Sequence, residues 1–429
     1  MRLKGISRLP AEKVYLALTA GMALAHAVMF TTLAVYYVQR VHMNPLQLVL
    51  VGTVLELTIL IFEIPTGVVA DTYSRRLSVI LGMFVLSAAW LLEGSLPVFG
   101  FVLAAEVVRG VGETFLSGAL DAWLADEVGG EHVGRIYIRA GQLARITGIV
   151  GTVISVALAS LALNLPVLAG GGIFLSIGVF LAFAMPETGF TCTQRQPGNL
   201  FAPAMKTFAS GARLLRSSSL LLTLFLVNFV TGAASEGYDR LWEAHILNNF
   251  RLPVLDGLQP VVWFGIFGIT SSLISTAVVA LARRRMEAAA ISDRSAARLL
   301  LLLNLAAVAS QLVFAVTGNF WVMAATLMVT GSLYALYYPL YDAWLVRQVE
   351  PSLRATMLSM VSQGNALGQT LGGPGVGLVG NRVSLRAALG VASLLLLPRS
   401  ALFAGLLRNI KPEAQPEIVV PEPEEQPAA

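Results

Sequence analysis

Apolar runs separated by charged or turn-rich breaks divide the chain into twelve segments, near 14–38, 46–70, 77–94, 97–125, 134–163, 166–185, 217–247, 258–282, 297–317, 319–346, 355–381 and 385–407. A bilayer crossing takes roughly 20 apolar residues as a helix. In lipid every backbone N–H and C=O must be paired within its own segment, so an open chain crosses as helices. The pattern therefore predicts an all-α integral membrane protein with twelve transmembrane helices. The first run is longer than the ~7–15 residues of a cleaved signal's apolar core, and no small-residue cleavage site closes it. It is expected to remain as span 1.

Composition agrees. Of 429 residues, 56% are hydrophobic and 13% charged, with a mean hydropathy of +0.74. A soluble domain averages about 45–50% apolar and about 25% charged. The net charge of +4 is too small over so apolar a chain to indicate nucleic acid. The single cysteine, Cys192, excludes an intrachain disulfide and any multi-cysteine metal site. No cofactor is indicated. The phosphate-binding Gly-x-x-x-x-Gly-Lys-Ser/Thr loop is absent, so ATP drive from this chain is not expected, and no paired-His or Gly-x-Ser-x-Gly motif supports an enzyme.

With the N-terminus placed in the cytoplasm, twenty-one Lys and Arg fall on the inner side, and only Arg40, Arg251, Arg382 and Arg386 fall on the outer. This is the positive-inside asymmetry, and it predicts two cytoplasmic termini in a plasma membrane, such as a bacterial inner membrane. Residues 1–13 are then a cytoplasmic segment and 14–185 a first six-helix bundle. The longest polar connection, 186–216, is a cytoplasmic linker, and 217–408 form the second bundle. The Pro- and Glu-rich tail 409–429 cannot bury a core and is expected to be disordered.

An internal repeat supports two matching halves. Leu120-Asp121-Ala122-Trp123-Leu124 closes span 4 and Tyr341-Asp342-Ala343-Trp344-Leu345 closes span 10, at an offset of 221 residues. Gln142 with Gln363, and Gly151 with Gly372, keep that offset one span later. Two parallel six-helix repeats related by an axis along the membrane normal are a known transporter plan.

The loop after span 2 reads Gly67-Val-Val-Ala-Asp71-Thr72-Tyr73-Ser74-Arg75-Arg76. It resembles the Gly-x-x-x-Asp-Arg/Lys-x-Gly-Arg-Arg signature of the major facilitator superfamily; Thr72 and Ser74 depart from it. Met185-Pro186-Glu187-Thr188 after span 6 is a weaker mark of the same family, and Arg109-Gly110-Val111-Gly112 looks like its span 4 motif without the glutamine–glycine pair. The antiporter-associated span 5 motif is missing, with only Gly148 and Gly151 there. A version with its spacing, Gly364-x-x-x-Gly368-Gln369-x-x-Gly372-Gly373, stands in span 11 and suits tight helix packing. The resemblance implies a monomeric carrier in which Gly67, Asp71, Arg75 and Arg76 latch the two halves at the cytoplasmic side. A span 4 acid, Asp121 or Asp126, joins that latch, and Asp342 is its repeat equivalent. Asp71 is placed to pair with Arg75 or to face a neighbouring helix N-terminus.

Ionisable groups at bilayer depth are costly and mark function by default. Glu106, Arg109 and Glu113 lie roughly 14–24 Å into span 4 at ~1.5 Å per residue and share one helix face. Glu56 and Glu63 share a face of span 2, Arg145 sits in mid-span 5 and His26 in mid-span 1. Such carboxylates can carry a coupling proton or attract a cationic substrate, and Glu56 and Glu113 are the leading titrating groups. They can also be static partners, Glu106 or Glu113 with Arg109 and Arg145. His26 is expected to be a hydrogen-bonded packing residue. Span 7 holds Glu236, Asp239, Arg240, Glu243 and His245 near its outer end, where they form an outer gate or entry surface, or a solvated helix end. The six tryptophans fall mostly near span ends, where an interfacial belt is expected.

These features predict a secondary transporter working by alternating access, driven by protons, that exports small amphipathic or drug-like molecules as an efflux antiporter. Uptake of a small nutrient and a non-transporting receptor or scaffold are the alternatives. The partners are a small-molecule substrate, protons and membrane lipid.

Overall fold

The computed structural model describes residues 9–191, 213, 215–216, 218–255, 258–288, 292–349 and 354–409. Residues 1–8, most of the expected linker with Cys192, and the tail beyond 409 lie outside the described residues. Among the described residues every regular element is a helix. Span 1 is Ala11–Phe30 followed by Leu33–Gln39, span 2 is Pro45–Thr72, span 3 is Arg75–Ser95, and span 4 is Phe99–Leu116 followed by Ala119–Val128. Spans 5 and 6 are Gly130–Leu161 and Leu165–Ala184. Spans 7 to 11 are Ser219–Asn249, Val262–Ala288, Asp293–Val316, Phe320–Gln348 and Arg354–Arg382, and span 12 is Leu385–Leu394 followed by Leu397–Asn409.

Local chemistry sets the ends. Asn44 accepts from the Gln47 N–H at 2.9 Å while the Gln47 side chain accepts from the Asn44 N–H at 3.0 Å, a capping box with Pro45 opening span 2. Ser74 caps span 3 through the Leu77 N–H at 2.9 Å. Span 4 departs from the single run expected over 97–125. It breaks at Gly118, whose φ of +70° falls where glycine is tolerated and other residues are strained.

Among the described residues, ten helices are long and apolar enough to cross a membrane. Spans 4 and 11 fall short because one carries Glu106, Arg109 and Glu113 and the other Gln363, Asn365 and Gln369. Both are covered by neighbours, span 4 by spans 2 and 3 and span 11 by spans 2 and 7. That cover lets them carry groups that lipid would reject.

The two halves repeat one packing scheme. Span 5 lies on span 1, with Gly151 against Leu24 and Ala27, and span 11 lies on span 7, with Gly372 against Ala233. Trp123 and Trp344 are both buried, and Asp121 and Asp342 are both exposed. The tryptophans therefore do not form the expected belt. Trp90, Trp123, Trp263 and Trp344 are core residues, Trp242 packs on the core, and only Trp321, 67% exposed, is placed to face the interface.

Where the halves meet positions the site. We call the side holding Ala11 and Asn409 the near side and the opposite one the far side. Pro45, Leu46 and Val49 of span 2 pack on Gly380, Gly377 and Gly373 of span 11. Gly52 packs on Glu236 and Arg240 of span 7, and Thr152 and Val156 of span 5 flank Gly265 of span 8. All of these contacts lie in the far half. Val49, Glu56 and Glu63 are seven residues apart and share one face of span 2. Down that face Val49 is buried, Glu56 half-buried and Glu63 exposed. Among the described residues the seam is packed shut at the far end, and its span 2 face becomes exposed toward the near end.

Candidate functional site

In the first bundle Glu106 and Arg109, both buried, form an ion pair of 3.0 Å across one turn of span 4. The guanidinium lies 4.8 Å from the Trp90 ring of span 3 and 5.9 Å from the Phe30 ring of span 1, cation–π contacts that hold the charge away from water. Glu93 of span 3 is 1% exposed and accepts a hydrogen bond of 2.6 Å from the Tyr37 hydroxyl. Glu93 and Glu106 both lie within electrostatic range of Arg109. Two buried carboxyl groups thus lie near one guanidinium, Glu106 paired with it and Glu93 bonded to Tyr37.

Glu113 is half-buried and also within range of Arg109. Glu56 lies within range of Arg109 on its own bundle and of Glu236 and Arg240 across the seam. Glu63 faces the open near half and accepts from the Ser117 hydroxyl at 3.4 Å. Arg145 does not join this set. It is exposed, off the face that Gly151 and Ser155 turn toward span 1, so the static pairing of Glu106 or Glu113 with Arg145 is not formed. His26 packs among rings, 5.6 Å from Phe30 and 5.5 Å from Phe174.

The charged stretch of span 7 sits at the shut end of the seam. Glu236 and Arg240 pair at 3.0 Å against Gly52, and Arg240 is within range of Glu106 across the seam. Asp239 and Glu243 line a cavity of about 240 Å³ between spans 1, 2 and 7, walled also by Phe30, Tyr37 and Trp242. This stretch belongs to the helix Ser219–Asn249 and packs on span 2, so it is not a solvated end beyond the bundle.

At the near end the Arg75–Asp126 ion pair is joined by a bond of 2.9 Å from Arg75 Nη1 to the Ala122 carbonyl. Glu187 accepts from the Ser74 hydroxyl at 2.7 Å and from the Arg76 N–H at 2.9 Å, and Arg76 Nη2 donates to the Ala182 carbonyl at 2.6 Å. Arg75 thus pairs with Asp126 and not with Asp71, which is exposed and has no ion-pair partner among the described residues. Asp121 accepts from the Tyr137 hydroxyl at 2.9 Å, and Asp342 is exposed. A Cβ at Gly67 would meet nothing within 4 Å, so no neighbouring helix packs on this latch position in this conformation. These bonds tie spans 3, 4 and 6 of one bundle together, and none of them reaches the second bundle.

Two buried charges went unread in the sequence. Glu93 stands beside Gly94-Ser95-Leu96-Pro97 and reads as the end of a span; its signal was that a carboxylate lay still inside the apolar run 77–94. Arg399 follows Pro398 in the last run and is fully buried. Its Nε donates to Asn304 Oδ1 at 2.7 Å with Nη2 on the same oxygen, its Nη1 donates to Thr231 at 3.1 Å, and it lies 4.3 Å from the Tyr337 ring.

Two repeated helical bundles around a seam lined with buried charge define a polytopic membrane transporter. The sequence matches the model of the Major Facilitator Superfamily over residues 15–288 and 287–428, and the chain belongs to that superfamily. Its members are transporters, not enzymes. The chain is 21% identical over 388 residues to a Bacillus subtilis (strain 168) protein named "Uncharacterized MFS-type transporter YxaM", covering 90% of this chain and 93% of that one. The fold is similar to the crystal structure of the nucleoside transporter NupG, with a TM-score of 0.73, 13% identity, and coverage of 94% of this chain and 100% of that one. It is also similar to an inward-facing, unoccupied bacterial homolog of the human lysosomal transporter Spinster, with a TM-score of 0.71, 15% identity, and coverage of 94% and 98%.

Proposed function

We propose that the chain is a proton-driven secondary carrier that works by alternating access, with substrate held between the bundles. The seam supports this reading: it is packed shut from Pro45 to Gly52 and open past Glu56. With the near side taken as cytoplasmic, the conformation is inward-open, and rocking of the bundles about mid-membrane exposes the far half. Asp71 and Gly67 then meet the second bundle when the near side shuts.

The charges supply a coupling route. The far end is held by Glu236–Arg240 on Gly52, with Arg240 also attracted across the seam by Glu106 and Glu56. Placing a proton on either carboxylate removes that attraction and frees the far end. Glu93 and Glu106 face one guanidinium, so gaining or losing one proton changes the charge of the set by one. Glu113 and Glu63 continue the carboxylate line toward the open side.

Phe30, Tyr37 and Trp242 beside Asp239 and Glu243 suit a small amphipathic cation, the apolar part on the rings and the charge at the acids. Exchange of such a molecule for protons exports it. The test is transport in proteoliposomes holding the purified chain, with a panel of lipophilic amines and an imposed pH gradient. Substrate is expected to move against proton flow. Movement that ignores the gradient overturns proton coupling, and movement with the protons makes the carrier an importer.

A further inference from the structure

A second cavity, of about 380 Å³, opens at the near end of the second bundle between spans 7, 10 and 12. Leu220, Leu402 and Leu406 give it apolar walls, and Trp344 and Gln348 of span 10 line it as well. Trp344 Nε1, on a side chain that is 0% exposed, and Gln348 Nε2 are buried there without acceptors. Buried donors are almost always satisfied, so two in one cavity require an explanation. Gly405 also lines it, and a Cβ added there would meet nothing within 4 Å. Arg216 stands just before the Ser218 cap of span 7, beside Leu215, which packs in one cluster with Trp344 and Leu406, and Arg408 stands three residues after Gly405 on span 12, about one turn toward the near surface. Both arginines are exposed.

We propose that this cavity binds an anionic phospholipid of the membrane. An acyl chain lies along the three leucines, the ester and glycerol oxygens accept from Trp344 Nε1 and Gln348 Nε2, and the phosphate rests between Arg216 and Arg408. The chemistry fits from both ends. A phospholipid brings oxygens and no obligatory donors to a floor that offers donors, and it brings a negative headgroup to a cationic mouth at interfacial depth. This site is separate from the seam, and the inference does not rest on the transport reading.

The test titrates the purified full chain in detergent with dioleoylphosphatidylglycerol, dioleoylphosphatidylcholine, glycerol phosphate and inorganic phosphate, reading bound ligand by native mass spectrometry. Phosphatidylglycerol is expected to bind in preference to phosphatidylcholine. The double variant R216Q/R408Q should lower its affinity at least about tenfold, the worth of a hydrogen bond to a charged group, and erase the preference. W344F, which deletes the donor and keeps the ring, should weaken both lipids. G405F should fill the cavity and abolish lipid binding with both arginines in place. Equal affinity for the two lipids in the wild type, or a preference that survives R216Q/R408Q, overturns the proposal. So does inorganic phosphate binding as tightly as phosphatidylglycerol, which would make this a site for a free anion. The arginine variants alter exposed side chains, so the outcome stands even if W344F or G405F fails to fold.

Discussion

Gly52 of span 2 and Glu236 of span 7 lie so close that a Cβ at position 52 would overlap the Glu236 carboxylate. A side chain there would have to push aside the ends of Glu236 and Arg240, and with them their ion pair. Gly52→Ala is therefore expected to weaken closure by about 1–3 kcal/mol, the usual cost of overpacking. Leu48 lines the far-side cavity and is buried. In a Cys192→Ser background, Leu48→Cys should react with a water-soluble maleimide several-fold faster when Gly52→Ala is added. An unchanged rate would show that the seam does not close on this contact.

Glu93 and Tyr37 carry a second expectation. Their 2.6 Å bond joins a buried carboxyl to a side chain that lines the far-side cavity. Glu93→Gln keeps the volume and removes the proton site, leaving Glu106 alone with Arg109. Substrate exchange at equal pH should continue, while accumulation driven by a pH gradient should fall at least about tenfold, the effect expected of a lost general acid or base. Tyr37→Phe should lower the driven rate less, because the carboxyl remains. Full gradient-driven transport by Glu93→Gln would remove Glu93 from the proton route.

The spans were legible because lipid demands long apolar helices, and Glu106 and Arg109 because a pair of charges in such a run stands out. The equivalence of Gly151 and Gly372 was legible as a repeat, and both became close-packing points between corresponding spans. Glu93 and Arg399 were not legible, since each adjoins a proline or glycine that suggests a span end. What buries Glu93 is Tyr37, 56 residues away, and what buries Arg399 is Asn304, 95 residues away. Asp71 was the expected partner of Arg75, with Asp121 or Asp126 joining the latch, yet Arg75 pairs with Asp126, which lies on the helix that follows the turn at Gly118. Local spacing holds no record of such a turn.

Asp71 and Asp126 should behave in opposite ways. Asp126→Asn removes the partner of a half-buried Arg75 and should cost about 1 kcal/mol, near the upper end for exposed pairs. Glu187→Gln should cost about 1.5–3 kcal/mol, because charge-assisted bonds from Ser74 and Arg76 converge on that carboxylate. Asp71→Asn should leave stability within about 0.5 kcal/mol, as expected where no contact is lost. It should instead slow transport, because in the proposed cycle Asp71 meets the second bundle when the near side shuts. Thermal unfolding in detergent and transport rate, measured on the same three variants, separate the two roles. A stability loss for Asp71→Asn as large as that of Glu187→Gln would contradict this division.

Arg399 ties span 12 to spans 7, 9 and 10 through Thr231, Asn304 and the Tyr337 ring, and no ion pair among the described residues includes it. A buried charge without a counterion gives little net stability, and replacing such a group by an apolar one of similar volume is often neutral. Both Arg399→Met and Arg399→Ala strip Asn304 Oδ1 of its Arg399 donors, but Arg399→Ala also leaves a cavity, a total loss expected at about 3–5 kcal/mol. Arg399→Met fills that volume and should unfold at a clearly higher temperature than Arg399→Ala. Arg399→Lys keeps the charge but lacks the planar fork that lets two nitrogens share Asn304 while the guanidinium stacks on Tyr337, so it should be no more stable than Arg399→Met. The methionine variant should still transport poorly, because Thr231 adjoins Gly232, where span 7 packs against Asn365 and Gln369 of span 11, and the guanidinium fixes the helix at that point. Arg399→Lys proving clearly more stable than Arg399→Met would mean that the charge itself, not the shape and the fork, is what this position holds.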